Sequence, residues 1–218
     1  NIGVIEVGTR LDENIFEKYI RRFGFGALTD VNLPGEIGGL VRKSKDWSKI
    51  SLASLSIGQE ISVTPLQLIM AISSIANRGT LMKPIIVKEI LDSQKNRIKI
   101  FKPKPIRQVV SVDTALTISK ILEQVVIDGT GKRAIIPGYR IAGKTGTAQK
   151  FDFSLGKYSE DKYDSFFVGF VPVENPQLSI LVLIDEPIGS YYGGTIAAPV
   201  FKEIASKALT YLSIPPDE

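Results

Sequence analysis

The sequence predicts an α/β domain of the α+β kind, an antiparallel central sheet flanked by helices with a helical subdomain. Three observations predict it. The runs Phe166-Phe167-Val168-Gly169-Phe170-Val171 and Ile180-Leu181-Val182-Leu183-Ile184 are apolar at every position except a glycine, as strands covered by helices on both faces are. Only the short turn Glu174-Asn175-Pro176 lies between them, so they pair antiparallel. Several other segments begin with a capping residue and continue with apolar side chains at helical spacing. The 218 residues, 44% hydrophobic and 23% charged, suffice for one sizeable folded domain.

The run through Leu11 reads as helix, and Asp12 caps a second one whose apolar residues are Ile15, Phe16, Tyr19, Ile20 and Phe23, with Gly24 ending it. From Phe25 to Lys49 glycine and proline dominate, which makes a long irregular connection. Thr64-Pro65-Leu66-Gln67 starts the next helix. Thr64 is the N-cap, Pro65 takes the first turn where its missing N–H is harmless, and Gln67 completes a capping box. That helix runs to about Asn77-Arg78-Gly79. Pro84–Leu91 and Arg97–Phe101 flank the turn Ser93–Asn96 as a peripheral hairpin.

Ser111 caps a further helix with Ala115, Ile118, Ile121, Leu122 and Val125 on its apolar face, ending near Asp128-Gly129. A strand follows from Arg140 to Gln149, then a polar loop from Lys150 to Tyr163. Next come strands at Asp164–Pro172 and Leu178–Glu186, a Gly-rich loop, and a last helix from about Pro199 to Leu212. The three strands form a meander. The first breaks into Gly143-Lys144-Thr145-Gly146-Thr147, polar and glycine-spaced, as an exposed edge beside a cleft is. The segment Phe151 to Tyr163 is a candidate gate for that cleft or a plain surface loop.

Composition removes whole classes of chemistry. With no cysteine and no histidine, the chain offers no disulfide, no thiolate, no Ser-His-Asp or Cys-His catalysis and few zinc ligands, and no metal or cofactor is expected. Chemistry must run on Lys, Ser, Thr, Tyr or carboxylates. The net charge of +4 is spread along the chain and interleaved with Asp and Glu, which argues against nucleic acid as a partner. The densest basic run, Arg42 to Lys49, reads as a solvated loop. Gly129-Thr130-Gly131-Lys132-Arg133 looks like a P-loop but has Val126 at the first glycine position and Arg133 in place of Ser/Thr, so ATP binding is rejected.

Lys144-Thr145-Gly146 on a strand is one of three elements of the serine penicillin-recognising enzymes, beside Ser-x-x-Lys and Ser-x-Asn. The physics of the segment stands without any family. Gly146 lets an extended peptide approach the backbone, Lys144 offers a positive charge to a carboxylate, and the hydroxyls of Thr145 and Thr147 can donate to the same group. The wider segment Gly138 to Lys150 closely resembles the class B penicillin-binding proteins. So do Ser56 to Gln67, Gly129-Thr130-Gly131 and Tyr191 to Phe201, in the same order. Arg22-Phe23-Gly24-Phe25-Gly26 stands where that family has such a stretch, and Asn1-Ile2-Gly3 resembles the end of Ser-x-Asn.

The resemblance implies a penicillin-binding transpeptidase or serine β-lactamase-like fold. Residues 1–218 would be the C-terminal part of one transpeptidase domain, from the Asn of Ser-x-Asn to the last helix. It implies a peptidoglycan D,D-transpeptidase that works through an acyl-serine, with Asn1, Lys144 and Thr147 catalytic and Thr145, Gly146, Thr147, Ala148 and Gln149 against the substrate. The backbone N–H of Thr147 would form half of an oxyanion hole. Expected partners are the D-Ala-D-Ala end of a stem peptide, β-lactams, the N-terminal part of the same protein with the nucleophile, and other cell-wall synthesis proteins. The expected place is the inner membrane, with the catalytic domain on its periplasmic side. Two alternatives share these motifs: a D,D-carboxypeptidase or β-lactamase, and a non-catalytic β-lactam sensor or divisome scaffold.

Overall fold

The computed structural model describes residues 1–152 and 154–217, in two compact units. The first comprises Asn1–Ser74 and Gly79–Val110, the second Ile75–Arg78 and Ser111 onwards.

The first unit holds α1 (Ile2–Gly8), α2 (Glu13–Arg22), a 3₁₀ turn at Ser44–Asp46, α3 (Ser51–Ser56) and most of α4 (Pro65–Ala76). Two small antiparallel sheets complete it, β1 (Thr80–Met82) with β4 (Pro105–Gln108) and β2 (Glu89–Leu91) with β3 (Arg97–Ile100). The first helix is shorter than the expected run to Leu11, and α3 was not foreseen. The caps are as expected. Asp12 Oδ1 accepts from the N–H groups of Asn14 and Ile15, an arrangement worth about 1 kcal/mol. Thr64 and Gln67 exchange bonds of 3.0 and 3.2 Å.

Gln67 also explains how the long glycine-rich connection is held. It is 1% exposed, and its amide nitrogen donates to the carbonyls of Ala27 and Gly38 at 2.7 and 2.8 Å. A second tie is Glu17, which accepts from the Ser44 N–H and from the Arg21 guanidinium, each at 2.6 Å. The Ser44 bond, reinforced by Arg21, holds its carboxyl down to about 2.

The second unit contains α5 (Val112–Ile127), a 3₁₀ turn at Lys132–Ala134, β5 (Ala142–Asp152), β6 (Lys157–Val171), β7 (Leu178–Asp185) and α6 (Gly193–Tyr211). The strands form one antiparallel meander in the order β5-β6-β7, with β5 at an edge. Phe167, Phe170 and Phe201 are fully buried, and the Phe167 and Phe201 rings meet edge to face at 4.7 Å. Truncating such a ring to Ala typically costs about 3–5 kcal/mol.

Three sequence expectations change here. Strand pairing replaces most of the Lys150–Tyr163 loop, since β5 reaches Asp152 and β6 starts at Lys157; Phe153 lies outside the described residues. The reason is local. Phe151 and Tyr158 pair edge to face across the strands at 5.3 Å, and Asp152 Oδ1 accepts from the N–H groups of Ser154 and Leu155 to close the turn.

The last helix begins at Gly193 rather than near Pro199, so Pro199 sits inside it. Proline removes the N–H that would bond the Thr195 carbonyl. Arg133 Nη1 donates to that carbonyl at 3.2 Å instead.

The buried stripe of α5 is Ala115, Ser119, Glu123 and Val126, while Ile121 is 59% exposed. A carboxylate can occupy the stripe because Arg140 clasps both Glu123 oxygens at 2.7 and 2.9 Å and also pairs with Glu174. Removing one partner of such a pair strands a buried charge, a loss of about 3–5 kcal/mol where burial is complete.

Glu17 generates a test. The unfolded chain binds this proton near 4.5 and the native one only near 2, so its stabilisation is complete above pH 4.5 and is lost as pH falls toward 2. Glu17→Gln is therefore expected to flatten the acid limb of stability in that window. Denaturant midpoints measured across it check this, and an unchanged slope contradicts the assignment.

Candidate active site

Strand alternation and register sort the residues of β5 onto two faces. Thr145 stands opposite Phe167, whose ring packs on α6, so Thr145 and Thr147 face that helix. Lys144, Gly146 and Ala148 point the other way, on the face of Phe166 and Val168. The other edge of β5 pairs with no strand among the described residues, which leaves a row of backbone groups for an extended peptide.

The α6 face is tightly built. Thr147 Oγ1 accepts from the Gly193 N–H at 3.2 Å, so a strand side chain caps a helix whose own N-cap residue, Tyr192, makes no side-chain cap bond. A Cβ on Gly193 would lie 2.3 Å from the Phe166 carbonyl oxygen and 2.5 Å from that of Gly146. One on Gly194 would lie 2.3 Å from the Thr130 oxygen. The helix start therefore rests on β5, β6 and the turn after α5 through two residues that must lack side chains. Beneath it, buried Ser165 donates to the Tyr191 carbonyl, and the Tyr163 and Tyr191 rings stack at 4.3 Å.

Thr145 Oγ1 lies 2.7 Å from Thr130 Oγ1. Two hydroxyls sharing one hydrogen bond keep one further proton to donate, so the pair presents a single oriented donor. Thr130 was not among the expected site residues, although Gly129-Thr130-Gly131 was part of the resemblance. The signal was there, and only the contact to Thr145 gives it a role.

Lys144 is exposed as a residue, yet its ammonium bends back to the Thr145 carbonyl at 2.8 Å and has no ion pair among the described residues. Burial of the group shifts its pKa below the ordinary lysine value, because a desolvated ammonium without a counter-ion is disfavoured. Lys150 on the same strand shows the opposite. Bonds to Asp185 at 2.7 Å and Glu186 at 2.9 Å push its pKa up.

Other expected residues fall as follows. The room left by the missing Cβ of Gly146 is filled by the Phe166 ring, which a Cβ would meet at 2.0 Å, so packing as well as peptide approach requires glycine. Ala148 is half-buried opposite Asp164. Gln149 spends its amide on the Ser159 carbonyl at 3.1 Å. Asn1 belongs to the first unit, exposed at the N-cap of α1, and its side chain makes no cap bond.

Two Ser-x-x-Lys tetrads do occur in the chain, Ser154–Lys157 and Ser159–Lys162. Both lie on the β5–β6 hairpin arm rather than at a helix start, and each serine donates to a nearby carboxylate, Asp152 or Asp161. Lys157 and Lys162 lie nearest Glu160 and Glu186 at 3.7 and 3.5 Å, so neither tetrad pairs its serine with its lysine.

Comparison with known proteins shows the family of the chain. The family model described as penicillin binding protein transpeptidase domain matches residues 1–206. Stage V sporulation protein D of Bacillus subtilis is 40% identical over 218 residues, covering 99% of this chain and 33% of that protein. Peptidoglycan D,D-transpeptidase FtsI of Buchnera aphidicola is 39% identical over 222 residues, 100% of this chain and 37% of that protein. Among solved structures, penicillin binding protein 3 of Mycobacterium tuberculosis complexed with aztreonam superposes with a TM-score of 0.90 at 36% identity, over 99% of this chain and 50% of that one. The apo transpeptidase domain of Burkholderia pseudomallei penicillin-binding protein 3 gives 0.86 at 33%, over 100% and 63%. The chain thus spans about a third of the length of the curated relatives it matches.

Gly193→Ala is expected to destabilise the fold by about 1–3 kcal/mol, because backbone rather than a movable side chain blocks the new methyl. Gly3→Ala, with nothing within 4 Å, is the control and should be neutral or slightly stabilising. Urea midpoints of the two variants make the comparison, and equal midpoints contradict the docking of α6.

Proposed function

Because the chain belongs to the penicillin-binding protein transpeptidase family, we propose that it is the C-terminal part of the transpeptidase domain of a peptidoglycan D,D-transpeptidase, a target of β-lactams. One observation carries the reading: an exposed sheet edge carries Lys144, whose pKa is lowered and which has no ion pair among the described residues, on one face and hydroxyls held by Thr130 and by the start of α6 on the other.

In this proposal a stem peptide ending in D-Ala-D-Ala lies along β5 as an added strand. Its terminal carboxylate meets the Lys144 ammonium and the donor shared by Thr130 and Thr145. A serine elsewhere in the longer protein attacks the penultimate D-alanine carbonyl, and its lysine neighbour takes the hydroxyl proton. The tetrahedral oxyanion is held by the backbone N–H of Thr147 and that of the serine. The Thr147 side chain, fixed by Gly193, orients that N–H. Collapse breaks the C–N bond, D-alanine leaves with the returned proton, and an amine of a second stem resolves the ester. β-Lactams present the same carbonyl and carboxylate to the same groups.

Such a substrate places the domain on the outer side of the cytoplasmic membrane, among other wall-synthesis proteins. No described helix is long and apolar enough to cross a membrane.

Labelling of the full-length protein with a fluorescent penicillin tests the site. Lys144→Ala should suppress acylation and Lys144→Arg retain part of it. Because the Lys144 pKa lies below the ordinary lysine value, acylation should fall on the alkaline side earlier than a free lysine would titrate. In Lys144→Arg that limb should move up in pH. Undiminished labelling of Lys144→Ala removes the assignment.

Thr130→Val, which keeps shape and removes one hydroxyl, should slow acylation roughly five-fold, the equivalent of about 1 kcal/mol for one hydrogen bond. Thr130→Ser should restore it. A loss that serine does not rescue means that Thr130 acts through packing alone.

A further inference from the structure

The backbone that leads into α6 is gripped by two hydroxyls on neighbouring strands. Ser165 on β6 stands directly opposite Thr147 on β5, and both lie on the face that meets α6. Thr147 Oγ1 accepts from the Gly193 N–H at 3.2 Å, and Ser165 Oγ donates to the Tyr191 carbonyl. One acceptor and one donor, side by side on the sheet, therefore hold two peptide groups that are two residues apart.

Ser165 is 0% exposed and sits on the middle strand of the three, paired to Thr147 on one side and to Ile184 on the other. A hydroxyl so placed cannot turn to water, and its position is set by two ladders. The other restraints on the loop from β7 to α6 fix less. The Glu186 N–H bonds the Tyr163 carbonyl at 3.0 Å, but only where β7 ends, and Ile188 beyond it is fully exposed. The stack of Tyr191 on Tyr163 at 4.3 Å sets a separation, whereas a hydrogen bond sets a direction as well.

We propose that Ser165 is a positioning residue for the acylation step: by fixing Tyr191 it sets where the Gly193 N–H meets Thr147, and so how the Thr147 backbone N–H is aimed at the reacting carbonyl. This rests on the reading of β5 given above. Ser165 itself touches no substrate. The groups assigned to the terminal carboxylate, Lys144 and the Thr130–Thr145 pair, are not part of the grip, and Lys144 points to the other face. Loss of the Ser165 hydroxyl therefore acts on the acyl step and leaves binding alone.

Acylation of the full-length protein by a fluorescent penicillin, followed in time over a range of concentrations, tests this. Ser165→Ala should lower the maximal rate by about ten-fold or more, up to the ~10²-fold that a misplacement of about 1 Å costs. The half-saturating concentration and the alkaline limb set by Lys144 should stay where they are. A merely structural serine lowers the fraction of protein that is labelled but not the rate of the fraction that remains, and that result overturns the proposal. Ser165→Cys keeps the size of the side chain and donates only weakly, so its rate should fall between the two. It stands in where alanine prevents folding, and an unaltered rate there is equally fatal to the proposal. Thr147→Val removes the acceptor and keeps the backbone N–H. Adding Ser165→Ala to it should slow acylation by less than about two-fold further, because both changes act through one contact. Effects that multiply mean that Ser165 acts apart from Thr147, which overturns the assignment too. No labelling of the unaltered protein is a distinct outcome, since it removes the reading of β5 and this inference with it.

Discussion

The second unit depends on how closely the start of α6 approaches the sheet. A helix normally stands about 10 Å from a sheet, held off by side chains on both surfaces. Here Gly193 and Gly194 remove those side chains, and backbone meets the carbonyl oxygens of Gly146, Phe166 and Thr130. At that range the first N–H of the helix reaches Thr147 Oγ1 on the strand. One contact thereby caps the helix and fixes the residue whose own N–H is proposed to face the reacting carbonyl. Pro199 belongs to the same solution, since the helix runs through it and Arg133 takes the Thr195 carbonyl that the proline cannot bond.

The start of β5 is held by charge. Arg140 binds Glu123 on α5 and Glu174 on the turn before β7, and its backbone N–H donates to Asp217 at 2.6 Å. The guanidinium fork matches a carboxylate bidentately, which lets one arginine join three parts of the chain without an unpaired buried charge. Its far end is held by Lys150, bonded to Asp185 and Glu186. Between these anchors lie Lys144 to Gln149, on a sheet edge that pairs with no described strand. A peptide adding to that edge meets a surface already in place, so little ordering entropy remains to oppose binding.

Much of this was legible in the sequence because the signals were local. Asp12, Thr64, Gln67 and Ser111 act on residues within one helical turn, and all four cap as the spacing indicates. The meander followed from two apolar runs and a short turn. What escaped depends on partners far away in the chain. Nothing in the spacing of α5 marks Glu123 as buried, because its counter-ion, Arg140, stands 17 positions on. Pro199 looked like a helix start because Arg133 is 62 residues from Thr195. The hairpin arm from Lys150 to Tyr163 was hidden by its polar composition, because its pairing rests on Phe151 and Tyr158 and on an Asp152 turn rather than on a core. The residues of the motif were visible, but the reason for Gly146 was not, since Phe166 fills that space from the neighbouring strand.

Lys144 and Lys150 separate structure from function on one strand. Lys150 has two carboxylates and a raised pKa, so its charge is used within the fold and stays constant over any working pH. Lys144 has a carbonyl, partial burial and a lowered pKa, so the fold disfavours its charge and supplies no counter-ion among the described residues. A cation kept in that condition contributes little to stability. It gains most from an anion that arrives later, because part of the desolvation has already occurred before binding. In the proposed reading the free carboxylate at the end of a D-Ala-D-Ala peptide is such an anion, and the five positions between the two lysines mark where the strand passes from holding itself together to holding a ligand.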